Sequence, residues 1–186
     1  QLIEFCLAQQ DEFGLPTNGI DRIQSSQQSW DYTSINNSLK PSTIWNRDSY
    51  LNIWTLEFGG QLSNWLGFAA SPGGPSNIDG VVISHKYFGK FGSAVAPYNL
   101  GRTATHEVGH WLGLYHTFEA PSNSTNGCRG TGDLVSDTPA EKRASYTCKR
   151  RDTCPSKGSD PIHNFMDYSP DSCLNTFSKN QFKRMR

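Results

Sequence analysis

The feature that most constrains this chain is the run His106-Glu107-Val108-Gly109-His110-Trp111-Leu112-Gly113-Leu114-Tyr115-His116. On a helix, His106 and His110 stand one turn apart on the same face. Both imidazoles can then reach a single ion at roughly 2.0–2.1 Å. Glu107 lies beside the first histidine, placed to hold a water rather than the ion. A third ligand farther along the same straight helix could not converge on that ion. Gly113 removes the obstacle, because it tolerates the left-handed backbone conformation that reverses the chain and brings His116 back from below. Three neutral imidazoles leave a fourth position open, which is the arrangement of a catalytic zinc site rather than a structural one. From composition, the full pattern is expected by chance about 10⁻⁵ times per chain, which sets aside a helix with unrelated surface histidines. The other two histidines, His85 and His163, are single side chains on a strand or loop and read as hydrogen-bonded or solvated.

The elements around this motif follow from periodicity. Residues 2–8 read as a strand, followed by a polar, turn-rich stretch to about Pro41. Tyr50–Glu57 alternates apolar and polar side chains, so a second strand is expected there. Trp65–Ala70 and Gly80–Ser84 are a third and a fourth, separated by the breaker Ser71-Pro72-Gly73-Gly74-Pro75. Over Gly101–Leu114 the period changes, and Thr103, Ala104, Val108, Trp111 and Leu112 form one helical face. From Tyr115 to Phe177 turn residues dominate, and a short helix over Lys179–Met185 closes the chain. With 186 residues the expectation is a single α+β domain. Its upper lobe, about 1–113, would carry a twisted mixed sheet and the motif helix. Its lower lobe, about 114–186, would be irregular and cross-linked.

Four of the five cysteines, Cys128, Cys148, Cys154 and Cys173, fall in that irregular last third, where a loop-rich lobe needs staples. A four-thiolate zinc site is the rival reading, but no C-x-x-C pair is present. Two disulfides imply an oxidising compartment and therefore secretion. The sequons at Asn36-Asn37-Ser38 and Asn123-Ser124-Thr125 are compatible with that. Cys6, in the apolar run Leu2–Leu7, reads as a small buried hydrophobe. Lys and Arg number 17 against 17 Asp and Glu, a balance that argues against nucleic acid or an anionic membrane as partner. No apolar run approaches the roughly 20 residues that a membrane span needs.

These residues resemble a known family. His106–His116 matches the extended zinc motif of metzincins, and Asn164-Phe165-Met166-Asp167-Tyr168 looks like their Met-turn. Thr103–His116, Gly132–Pro139 and Asn164–Cys173 with Phe177 narrow the resemblance to the pappalysins, nearest to the small microbial ulilysin type. Phe5–Ala8, Asp79–Ile83 and Gly101-Arg102-Thr103 also fit. Catalytic domains of that family carry another strand and a long helix before the segment matching Leu2–Ala8; neither is expected within this sequence. Cys6 does not match the pro-segment cysteine that blocks zinc in such zymogens.

The resemblance implies a secreted, monomeric zinc metalloendopeptidase acting on peptide or protein substrates. Zinc would be held by His106, His110 and His116, with Glu107 as general base. Met166 would be the apolar floor beneath the imidazoles. Tyr168 would either stabilise the oxyanion or form a hydrophobic wall. Asp133, Asp137 and Thr138, with the carbonyl of Val135, would bind a structural Ca²⁺ or else make Asx turns. Disulfides Cys128–Cys154 and Cys148–Cys173 are also implied; sequence alone allows three pairings. Asp171 would sit on the floor of the pocket just past the scissile bond and select Arg or Lys there, or would cap a turn or help bind a cation. Asp79–Ser84 looks like the cleft-edge strand that pairs with substrate. Two other classes share these residues: a catalytically inactive zinc-containing protein-binding homologue, and a zinc enzyme acting on esters or small amides.

Overall fold

The computed structural model describes residues 3–120, 124–129, 132–155 and 158–186. Asn123 of the second sequon lies outside them.

Three short strands form one mixed sheet: β1 (Ile53–Leu56), β2 (Gly67–Ala69) and β3 (Val81–Ser84), in the order β1-β3-β2. β3 runs parallel to β1, with Ile53 opposite Val81, and antiparallel to β2, with Gly67 opposite Ile83. All four residues of β3 are buried, as expected of a strand with neighbours on both sides. That placement corrects one expectation. Asp79–Ser84 is not the edge strand: β1 and β2 occupy both of its ladders, and β2 is the sheet edge next to the motif helix.

A helical stretch lies on one face of the sheet. It consists of α1 (Tyr32–Ser34), a π-helical run (Ile35–Leu39) and α2 (Lys40–Thr43). Its start is fixed by Asp31, whose carboxylate accepts from Ser34 N at 2.8 Å while Ser34 Oγ accepts from Asp31 N at 3.1 Å. Ile35 from this stretch packs with Phe58, Leu62 and Val82, flanked by Trp30, Trp54, Leu56 and Phe68. The core also contains Lys40, 1% exposed. Its ammonium donates to Ile78 O at 3.0 Å and lies 5.2 and 5.1 Å from the ring centroids of Trp54 and Phe68. Desolvation lowers this amine to about 8, with the charge of Asp79 opposing.

Two sequence expectations differ from the structure here. Residues 3–8 form no strand, and Phe5 and Leu7 are more than half exposed. Alternation alone builds no strand without a ladder partner, and none of the described residues pairs with this segment. Cys6 is therefore exposed rather than buried. The stretch up to Pro41, read as polar turns, instead holds the helical run of residues 32–43. Pro41 does not end it because it sits in the first turn of α2, where its missing N–H is least needed.

α3 (Arg102–Trp111) packs against β2 and β3. Beyond it the chain is irregular until α4 (Lys179–Arg184), whose capping box joins Ser178 and Gln181. Disulfides Cys128–Cys154 and Cys148–Cys173 staple this region. None of the described helices is long and apolar enough to cross a membrane.

Candidate metal centre and catalytic site

The C-terminus of α3 makes the turn that the motif requires. Gly113, at φ +89°, donates from its N–H to His110 O, and Leu114 N donates to Gly109 O, both at 2.9 Å. These paired bonds are a Schellman closure, and the glycine relieves the clash that a Cβ would create there. Arg184 of α4 seals the turn, its Nε donating to Gly113 O at 2.7 Å. The chain then runs back, and His116 meets the helix face that carries His106 and His110.

The result is a cluster of three imidazoles. His110 Nε2 lies 3.0 Å from His106 Nε2 and 3.0 Å from His116 Nε2. Two zinc–nitrogen bonds at a tetrahedral angle place their nitrogens about 3.3 Å apart. The opposite ring nitrogens decide the tautomers. His106 Nδ1 bonds Phe165 O at 2.7 Å and His110 Nδ1 bonds Leu114 O at 2.8 Å, so both must carry protons on Nδ1 and bare lone pairs on Nε2. Burial, then the neighbouring rings, holds His106 down to about 3 and His116 to about 2, and burial lowers His110 as well. Neutral imidazoles with lone pairs facing one another repel unless a cation stands between them. No other group of His, Cys, Asp or Glu among the described residues has metal-ligand geometry. The donor set therefore fits zinc.

Glu107 is 6% exposed, and burial alone raises its carboxyl to about 8. A cation bound nearby pulls that value down again. Tyr168 Oη lies 3.1 Å from His116 Nε2, at the edge of the imidazole cluster. Burial first, then the charge of Glu107, pushes the phenol up to about 12, so it remains a hydrogen-bond donor at neutral pH. Phe118 stacks on His116 with ring centroids 4.7 Å apart and makes an edge contact with Tyr168 at 4.9 Å.

Below the cluster, Met166 is fully buried. A Cβ added at Gly109 would stand 2.5 Å from its sulfur, so helix and Met-turn are in direct contact. The turn is held by Met166 N donating to Asn164 Oδ1 at 3.0 Å and by Phe165 N donating to Thr176 O at 2.9 Å.

Asp171 is 2% exposed, at the opposite end of α3 from Gly113. Its Oδ2 accepts from Leu100 N at 2.7 Å and Arg102 N at 3.1 Å, which caps a helix whose own N-cap, Gly101, has no side chain. Its Oδ1 is buried without a partner. The oxygen-rich turn is only partly gathered. Thr138 Oγ1 lies 2.8 and 2.7 Å from the two oxygens of Asp133 and 2.8 Å from Val135 O. Asp137 turns away to accept from Ser178 Oγ at 2.6 Å and Asn180 N at 3.0 Å.

Outside the site, His85 bonds Glu57 and Ser93, and His163 bonds Cys173 O. Sequence reasoning missed the Asn164–Gln181 pair and Phe118, and it offered capping by Asp171 at a turn rather than at the start of α3. Only Phe118 had a local signal, as an aromatic two residues beyond His116.

Comparison with known proteins agrees with this geometry. The chain is 49% identical over 140 residues to Extracellular metalloprotease 1 of Coccidioides posadasii, covering 73% of this chain and 48% of that protein. It is 50% identical over 140 residues to an extracellular metalloprotease of Podospora anserina, covering 73% of this chain and 45% of that protein. The chain thus spans about half the length of these relatives. Mature mirolysin of Tannerella forsythia, solved with a cleaved peptide, superposes with a TM-score of 0.84 and 39% identity over 98% of this chain and 69% of that one. The shared fold is that of a pappalysin-type metzincin. The Peptidase_M43 family, described as Pregnancy-associated plasma protein-A, matches residues 34–186, and the chain belongs to that family.

Proposed function

We propose that this protein is a secreted zinc metalloendopeptidase that hydrolyses peptide bonds, with Glu107 as general base. The observation that carries the reading is the set of three Nε2 atoms, with Nδ1 protons on His106 and His110 directed to backbone carbonyls. Zinc held by His106, His110 and His116 supplies Lewis acidity toward a carbonyl and a water. Glu107 takes the water's proton on its carboxylate and delivers it to the leaving amine. Tyr168, protonated at neutral pH and adjacent to His116, donates its hydroxyl to the developing oxyanion. The extracellular naming of the relatives and the two disulfides support secretion.

The edge strand β2 is the surface against which an extended peptide can add as a further strand. Asp171 gives the reading its specificity. With Oδ2 committed to the helix cap, Oδ1 has no partner within the protein, and its charge is the one left to be balanced by a substrate guanidinium or ammonium. Preference for Arg or Lys immediately after the cut bond follows, with Arg favoured for its planar fork of donors. The test is a quenched peptide library assayed with and without chelator. Cleavage that disappears with chelator and returns with zinc supports the reading. Cleavage indifferent to chelation overturns it.

A further inference from the structure

Glu107 has a neighbour that motif reasoning does not supply. Gly67 opens β2 and pairs with Ile83, and its φ is not positive, so the backbone does not require glycine there. Glycine inside a strand weakens it, and its presence often marks the close approach of another group. A Cβ built on Gly67 would stand 2.9 Å from Glu107 Cγ, 3.0 Å from Glu107 Oε1 and 2.9 Å from Val82 O. Gaps this short are below ordinary van der Waals contact, and Glu107, only 6% exposed, has little room to yield. Among the described residues no group donates a hydrogen bond to the Glu107 carboxylate. Packing is therefore what holds it, and β2 is one wall of that packing.

We propose that Gly67 is a positioning residue for Glu107: the absence of a side chain on the first residue of β2 makes the slot that the Glu107 carboxylate occupies. The inference rests on the role given to Glu107 above. A methyl group at residue 67 would displace the carboxylate by an ångström or so, and such a misplacement of a reacting group costs on the order of 10²-fold in rate. A peptide adding to β2 pairs with its backbone, whose N–H and C=O groups the methyl leaves in place, so the loss falls on kcat.

The experiment is a double-variant cycle with Gly67→Ala and Glu107→Ala, made in the zinc-loaded protein and read by melting temperature as well as by turnover. Gly67→Ala alone is expected to keep zinc, to lower kcat by about 10²-fold with KM within about twofold, and to melt about 5 °C lower. In the Glu107→Ala background, Cγ and Oε1 are gone, and the thermal cost of Gly67→Ala should shrink by half or more. If Gly67→Ala does not fold alone, the double variant should fold. An equal thermal cost in both backgrounds, or failure of both proteins to fold, assigns the glycine to the Val82 carbonyl and overturns the proposal. So does a kcat within about twofold of wild type. The thermal cycle does not depend on turnover, so it decides the role of Gly67 even if the wild-type protein cleaves no peptide.

Discussion

Asn164 and Gln181, 17 residues apart, exchange two buried hydrogen bonds: Asn164 Nδ2 donates to Gln181 Oε1 at 2.7 Å, and Gln181 Nε2 donates to Asn164 Oδ1 at 3.1 Å. The same Asn164 oxygen accepts from Met166 N, and the same Gln181 oxygen accepts from Ser178 N. One amide pair thus ties the turn beneath the imidazoles to the start of α4. Gln181→Leu leaves Asn164 Nδ2 and Ser178 N without their acceptor and removes half of the capping box. A loss of roughly 2–4 kcal/mol is expected in denaturant unfolding. A change below about 0.5 kcal/mol would show that water replaces the pair.

Glu141 makes stability depend on pH. It is fully buried, and burial first, then the charge of Asp167, raises its carboxyl from 4.5 to about 7, against the opposing hydrogen bonds of Arg151 and Thr117. Between these two values the folded state holds a proton that the unfolded state has released, so stability falls as pH rises through that window. Glu141→Gln should flatten this part of the profile, as measured by unfolding midpoints from pH 4.5 to 7. A parallel profile in the variant would place the dependence elsewhere.

The turn at Asp133 holds more oxygen atoms than protons. The two carboxylate oxygens, Val135 O and Thr138 Oγ1 lie together with only the Thr138 hydroxyl proton and the Val135 N–H, 3.0 Å from Asp133 Oδ1, among them. Burial raises the Asp133 carboxyl, against the opposing hydrogen bonds of the Thr138 hydroxyl and the Val135 N–H. A Ca²⁺ ion bound there should raise the melting temperature by several degrees at saturating concentration with zinc held constant, and Asp133→Asn should abolish the rise. No calcium-dependent shift in the wild type would reduce the turn to hydrogen bonding alone.

Asp171 caps α3, and one pair of variants separates that task from the proposed selection of a basic side chain. Asn keeps an oxygen to cap Leu100 N and Arg102 N but loses the charge, whereas Ala loses both. Asp171→Asn should fold normally and lose preference for Arg and Lys after the cut by roughly 10-fold to 100-fold. Asp171→Ala should in addition destabilise the protein by about 1 kcal/mol. The readout is a cleavage-site profile on a peptide library; no basic preference in the wild type would leave Asp171 as a helix cap only.

The motif made the centre of the site legible. The i, i+4 histidines, the glycine turn and the returning His116 are all local, and local geometry follows from local sequence. So are β1, with its period of 2, α3, with its period of 3.6, and β3, as a short apolar run. Other features depend on partners distant in sequence. Asp171 caps α3 across about 70 residues, Asn164 finds Gln181 on another element, and Gly67 faces Glu107 across the sheet edge. Residues 3–8 and the helical stretch over 32–43 depart from expectation for the same reason. Alternation at 3–8 had no ladder partner, whereas the weak helix formers around Ile35 are held by packing against Phe58, Leu62 and Val82. That the cleft edge falls to β2 and not to Asp79–Ser84 is non-local as well, because an apolar run does not reveal which of its sides is paired.

At the proposed zinc site Glu107 is the group that moves the proton. Zinc content and peptide turnover, measured together on wild type and Glu107→Ala, test it most directly. Removing the carboxylate leaves His106, His110 and His116 in place, so the variant should bind zinc as tightly as wild type. Its kcat should fall by about 10²–10⁴-fold. Retention of more than a few per cent of turnover with zinc bound would contradict the account.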